Sequence, residues 1–486
     1  MVLLKNNGVL PISKGQKVAI IGDFAKVPRY QGAGSSMVNP YKLDSTLDVV
    51  DEAQMNYIGF ADGFDRCGKT NPHKLSEAVA LAEKADVVLL YIGLNEVDEV
   101  EGQDRAHLSI PKTQIELIKA LAETKAKIVA VVSSGSVVEM PWAEHCDAIL
   151  HGYLSGQAGA KAILNIATGK VNPSGKLSET YPIRYEDVPN HKFYPGQEKT
   201  SEYREGLYLG YRYYDKAKKD VQFPFGYGLS YTRFEYTNLK ITAESVAFTV
   251  KNTGSVAGAE IAQLYVGKAQ DRIHRPVKEL KGFKKVFLQP NEAVEIELPH
   301  DAYTFRYFDV NLGEFAVEKG TYTISVASSS RDVRLEGTLD VEGVEPQKED
   351  RITYKNYFEG DVVDMPQEMF EKLYGKDVPN PDWRLNKSLG INDSLAQMVY
   401  AKSLLARLAI KILVGLRTHS VKKGKPDLNL FFLTNMPFRA IAKMSNGAFS
   451  MEMTENLLVI VNGHFFKGVG KLVGSFIRYR KRGFKS

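Results

Sequence analysis

Glu96, Asp98, Glu99 and Glu101 place four carboxyl groups in one short segment. Carboxyls exchange protons near neutral pH when burial or a neighbouring charge tunes them. Their spacing alone reads first as a solvated acidic surface, with proton-transfer chemistry as the alternative. Asp104 and Arg105 follow closely, and an ion pair between them is expected to hold the segment in place. A second candidate is the glycine-rich stretch Gln31-Gly32-Ala33-Gly34-Ser35-Ser36. A dinucleotide turn requires a third glycine where Met37 stands, so that chemistry is disfavoured. His107, His145 and His464 lack metal-ligand spacing, and neither a metal nor an organic cofactor is expected.

These residues need elements to position them. Residues 17–22, 87–93 and 128–132 are short β-branched runs, each ending at a polar or glycine-rich loop. Residues 75–85 and 113–124 carry apolar side chains at three- and four-residue spacing, as amphipathic helices do. The alternation predicts an α/β domain over residues 1–200 with a mostly parallel sheet. Chemistry in such sheets gathers at the carboxyl ends of the strands, which selects the loops after Gly22 and Gly93. From 233 to 345 the pattern changes to short alternating strands separated by turns, predicting an all-β sandwich of immunoglobulin or fibronectin type. Residues 201–232, rich in Tyr, Gly and Phe, are expected to bridge both domains. Residues 346–394 read as an irregular linker and 395–486 as a basic helical tail.

The 486 residues suffice for two or three domains, and 44% hydrophobic with 25% charged residues is an ordinary globular composition. Cys67 and Cys146 are too few for a disulfide framework, which favours a reducing, cytoplasmic setting. Charge is uneven along the chain. Residues 395–486 hold 16 Lys and Arg against 3 Asp and Glu, whereas the net charge of the whole chain is +5, so the body is acidic. Leu405, Leu408, Ile412 and Leu416 form an apolar stripe too short to span a bilayer. The favoured expectation is that it packs inward, with the tail against the acidic body. The alternative is weak contact with a membrane surface through Arg478-Tyr479-Arg480-Lys481-Arg482. The cluster Lys422-Lys423-Gly424-Lys425 could touch nucleic acid, but no nucleic-acid partner is expected.

Several sequence blocks resemble the C-terminal portion of family 3 glycoside hydrolases. They are Val2-Leu3-Leu4-Lys5-Asn6-Asn7-Gly8-Val9-Leu10-Pro11, Glu101-Gly102-Gln103-Asp104-Arg105, Asn172-Pro173-Ser174-Gly175-Lys176-Leu177, Glu205-Gly206-Leu207-Tyr208-Leu209-Gly210-Tyr211-Arg212-Tyr213, Phe223-Pro224-Phe225-Gly226-Tyr227-Gly228 and Arg275-Pro276-Val277-Lys278-Glu279-Leu280. The resemblance covers about residues 3–340. It implies an α/β-sandwich domain and a fibronectin type III-like domain of a retaining β-glucosidase, acting on β-linked glucosides or oligosaccharides, with β-xylosides next. It implies that Glu101 is the general acid/base. The partner it requires is a barrel domain carrying an aspartate nucleophile in an S-D-W segment, and these residues contain no S-D-W. Asp382-Trp383 is read instead as a linker segment in which Trp383 is an anchor. Without its partner carboxyl the chain is expected to be inactive alone. Gln31 or Ser35 is expected either to bond a sugar hydroxyl at the pocket mouth or to serve a structural turn. An accessory carbohydrate-binding subunit is the alternative function, and a membrane-surface interaction protein the alternative of another class.

Overall fold

The computed structural model describes residues 1–101, 104–196, 199–269, 272–380, 382–423 and 427–481. Near-continuous apolar runs become the centre of a sheet buried on both faces. β1 (Val2–Asn6), β2 (Lys17–Ile21), β3 (Asn56–Ala61), β4 (Val87–Gly93), β5 (Lys127–Ser133) and β6 (Ala148–His151) lie in the order β1-β6-β5-β4-β2-β3. All pairings are parallel except that of β1 with β6. Every residue of β4 is buried.

Strand alternation divides the core into two layers. α1 (Thr46–Val49), α2 (Pro72–Ala82), α3 (Lys112–Ala122) and α4 (Gly159–Ala167) cover them. Leu90 and Ile92 pack with Ala78 and Ala82 of α2 and Leu117 and Leu121 of α3. Leu89 and Tyr91 pack with Val49 of α1 and Ile163 and Leu164 of α4. The start of α2 lies before the predicted 75–85, because Asn71 accepts a hydrogen bond from the Lys74 N–H and Pro72 occupies the first turn.

The exit of β4 is set by Gly93. Its φ is 144°, and a Cβ there would stand 1.9 Å from the Ser133 carbonyl oxygen. The buried Gln114 side chain from α3 accepts from the Gly93 N–H at 2.9 Å and donates to the Gly93 carbonyl at 3.0 Å. Strand pairing therefore stops where the acidic segment begins.

Residues 201–232 contact both domains. They include α5 (Tyr211–Lys216). The Leu229 N–H donates to Leu3 O, Gln263 Nε2 donates to Gly226 O at 3.0 Å, and the Leu280 N–H donates to the Tyr211 hydroxyl at 2.9 Å. The second domain is a β-sandwich of β7 (Phe234–Ile241), β8 (Ser245–Asn252), β9 (Gly258–Lys268), β10 (Lys278–Leu288), β11 (Ala293–Pro299), β12 (Arg306–Asp309), β13 (Glu314–Val317), β14 (Gly320–Ser329) and β15 (Asp332–Val341). Its two sheets run β10-β9-β14-β15 and β11-β8-β7, with β12 and β13 as a separate pair. Phe248, Val250, Leu264, Ile324 and Val326 fill the space between them.

The segment 346–394 departs from an irregular linker. α6 (Lys355–Glu359) and α7 (Gln367–Tyr374) form within it. Tyr357, Val362 and Met365 are buried against Tyr208, Tyr213 and Tyr214 of the bridge. This apolar docking gives the segment regular structure where an irregular linker was expected.

The tail comprises α8 (Leu404–Lys422), α9 (Leu428–Asn435), α10 (Phe438–Met444), α11 (Met451–Val461) and α12 (Phe465–Lys481). It has its own core, which includes Ala406, Ile410, Phe438, Leu458 and Val461. α8 thus buries Ala406 and Ile410 and turns Leu405, Leu408, Ile412 and Leu416 outward. The inward-packing stripe expected from sequence is corrected: the helix has two apolar faces, and the one carrying Ala406, Ile410, Leu413 and Val414 meets the core. Among the described residues no helix is long and apolar enough to cross a membrane.

Candidate active site

The loops after β2 and β4 meet at the carboxyl edge of the sheet. Ala33 and Val100 form a parallel bridge, and the Glu101 N–H donates to the Ala33 carbonyl at 2.9 Å. Glu101 Oε2 accepts from both the N–H and the hydroxyl of Ser35, each at 2.5 Å. Gly34 makes this approach possible. Its φ is 122°, and a Cβ there would lie 2.5 Å from Glu101 Cβ and 2.6 Å from Oε2.

Beneath Glu101, the other acidic residues serve different ends. Asn95 Oδ1 accepts from the N–H groups of Val97 and Asp98, and its amide donates to Arg66 O. Glu96 receives Arg66 through two nitrogens, at 3.1 and 2.6 Å, while another Arg66 nitrogen bonds Asp23. Burial opposes ionisation of Glu96, but this paired guanidinium outweighs it and holds the carboxyl below its ordinary range. Burial pushes Asp98 the opposite way, upward. Glu99 accepts from the Gly135 N–H at 2.7 Å and the Ser136 hydroxyl at 2.6 Å, and Arg29 donates to its carbonyl at 3.0 Å. The acidic segment is therefore a braced loop rather than a solvated surface, and Glu101 is its exposed end.

Hydrogen bonds from the Ser35 side chain and backbone lower the Glu101 pKa. On this open surface the carboxyl is ionised at neutral pH, fit to accept a proton. Donating one requires desolvation or a second negative charge, either of which raises a carboxyl pKa.

Ser35 joins Glu101, but Gln31 is occupied elsewhere. Its amide donates to the Tyr30 hydroxyl at 2.7 Å and Val38 O at 3.1 Å and accepts from the Val38 N–H at 2.9 Å. The expected Asp104–Arg105 pair is also corrected. Asp104 accepts from the Tyr194 hydroxyl and the Gly196 N–H, whereas Arg105 donates to the Ser136 hydroxyl and Val137 O. The two side chains tie the loop to separate parts of the domain. Asp382 is exposed, and Trp383 stacks on Tyr400 with ring centroids 5.5 Å apart, an anchor for the tail. Gly102, Gln103, Lys425 and Arg482 lie outside the described residues. Among the described residues no three His, Cys, Asp or Glu side chains gather in a metal-holding group.

One carboxyl escaped the sequence reading. Burial first, and the Glu99 charge second, push the Glu179 pKa up to about 7, against the pull of Arg105. No motif flags Glu179, since its environment is assembled by residues distant in sequence.

Residues 1–231 match the glycosyl hydrolase family 3 C-terminal domain and residues 260–330 the fibronectin type III-like domain. The thermostable beta-glucosidase B of Acetivibrio thermocellus is 41% identical over 359 residues, covering 70% of this chain and 47% of that protein. An exo-alpha-(1->6)-L-arabinopyranosidase of Bifidobacterium breve is 41% identical over 360 residues, covering 71% of this chain and 47% of its own length. The crystal structure of a Bifidobacterium adolescentis GH3 beta-glucosidase superposes with a TM-score of 0.68 at 43% identity, covering 70% of this chain and 52% of that one. The chain spans about half the length of these relatives. The braced acidic loop, the sheet that carries it and the sandwich behind it therefore place this chain in glycosyl hydrolase family 3, of which it carries the C-terminal portion.

Proposed function

We propose that this chain supplies the general acid/base, Glu101, of a retaining glycosidase that releases terminal β-linked glucose, the nucleophile coming from a barrel domain outside these residues. The observation that carries the reading is Glu101 itself, pinned by Ser35 at the carboxyl edge of the sheet and facing outward. Retention needs two carboxyls about 5–5.5 Å apart, one to attack the anomeric carbon and one to protonate the departing oxygen. A docked domain bringing the second carboxylate would also exclude water. Both effects raise the Glu101 pKa and convert an ionised surface carboxylate into an acid. After the glycosyl–enzyme bond forms, the deprotonated Glu101 takes a proton from the attacking water. The names of the relatives support β-glucosides, with α-L-arabinopyranosides as the other substrate class.

The test supplies the missing half. Mixing or fusing the chain with the barrel segment of a relative should restore hydrolysis of unactivated β-glucosides, while the chain alone stays at background. In the restored enzyme Glu101→Gln should lose roughly 10²–10⁴-fold on poor leaving groups and less in the glycosylation step of activated ones. Unchanged turnover in that variant would move the acid role to another carboxylate. Saturable glucoside binding without any turnover after reconstitution would favour an accessory binding subunit.

A second reading rests on the outward stripe of α8. Leu405, Leu408, Ile412 and Leu416 are each more than half exposed on a helix that also carries Arg407, Lys411 and Lys422. An apolar stripe flanked by cations suits an anionic membrane surface.

A further inference from the structure

The family domains end at residue 330, yet the tail reaches the candidate site. Phe431 of α9 is 3% exposed and packs against Ala33 and Val100, the two residues whose bridge joins the Ser35 and Glu101 loops. Val97 on the body side and Val421 and Leu428 on the tail side complete this small core. It is separate from the tail's own core.

Phe431 is itself held. Arg417 lies over its ring at 5.1 Å and donates to Thr434 Oγ1 at 3.3 Å. Asp427 caps the start of α9 by accepting from the Asn429 N–H. By contrast, the Glu101 carboxylate is exposed and depends on Ser35 and the Ala33–Val100 bridge for its position. A short loop pair facing water opens readily unless apolar contacts back it.

We propose that the helical tail belongs to the active-site framework, with Phe431 as a positioning residue that clamps the Ala33–Val100 bridge and so holds the carboxylate of Glu101. The inference rests on Glu101 as the acid/base for its functional meaning, but its principal readouts need no turnover. Loss of the clamp and loss of the catalytic reading are therefore distinguishable.

Hydrogen exchange of the full chain would follow the Glu101 amide, and carboxyl-carbon NMR would follow its titration. Phe431→Ala should speed exchange at the Glu101 N–H by about tenfold or more and move the Glu101 titration upward as the Ser35 contact loosens. Phe431→Leu, which keeps most of the apolar volume, should restore both. Leu428→Ala should give a smaller change in the same direction. In a barrel-reconstituted enzyme, Phe431→Ala should lower kcat with little change in KM. Unchanged exchange and titration at Glu101 in Phe431→Ala would overturn the proposal, whether the tail stays folded or melts, since either result shows the loops hold themselves.

Discussion

Glu101 and Glu179 are two carboxyls that the same fold drives in opposite directions. Ser35 stabilises the charged form of Glu101 through two donors. Ser35→Ala removes one donor and should raise the Glu101 pKa toward its ordinary value, read by carboxyl-carbon NMR. Burial, and then the Glu99 charge, raises the Glu179 pKa to about 7 against 4.5 for the free side chain. The folded state then binds the Glu179 proton more tightly than the unfolded chain, so stability falls as pH rises from about 4.5 through 7. Glu179→Gln should cancel that loss, gaining roughly 2–3 kcal/mol over the parent at pH 8 relative to pH 5. Urea midpoints at the two pH values check this. A gap independent of pH would show that Glu179 is not titrating where its surroundings place it.

At the scale of elements, the junction of β4, α3 and the acidic loop concentrates the constraints. Gln114 is fully buried and satisfies both backbone groups of Gly93. Gln114→Leu keeps the volume but leaves a buried N–H and C=O unpaired, so it should destabilise the chain by roughly 2–4 kcal/mol. Denaturant titration would measure this, and a loss below about 0.5 kcal/mol would mean that water or a shifted backbone replaces the amide. Gly34→Ala acts on the partner loop. The added Cβ collides with Glu101, so Ser35 and the carboxylate must separate, and the Glu101 titration should rise as it does in Ser35→Ala.

For the whole molecule, the division of charge and the outward apolar side chains set the expected behaviour. Leu405, Leu408, Ile412 and Leu416 are each more than half exposed along α8, and a contiguous apolar stripe promotes association. The purified chain should self-associate with rising concentration, measurable by sedimentation, and binding of a hydrophobic dye should accompany it. If the tail meets a membrane surface, the chain should pellet with anionic vesicles at low salt and be released by high salt. Leu408→Glu with Ile412→Glu should abolish pelleting without melting the body. Equal binding to uncharged vesicles would remove the electrostatic part of that reading.

What the residues determined by themselves was local. Apolar runs marked β2, β4 and β5, alternating strands marked the sandwich, and the Glu101 segment stood out by its residue types and its resemblance to a family. The period of side-chain burial is written into neighbouring residues, so such features are legible without a fold. Most particular contacts between distant segments were not. The antiparallel β1 pairs with β6 across most of the first domain, and the outward turn of Leu408 and Ile412 depended on which of two apolar faces met the tail core. The raised pKa of Glu179, the separate anchors of Asp104 and Arg105, and Phe431 against Ala33 and Val100 share that origin. Burial and electrostatics depend on what lies within a few ångströms in space, and tertiary packing alone decides which remote residues those are.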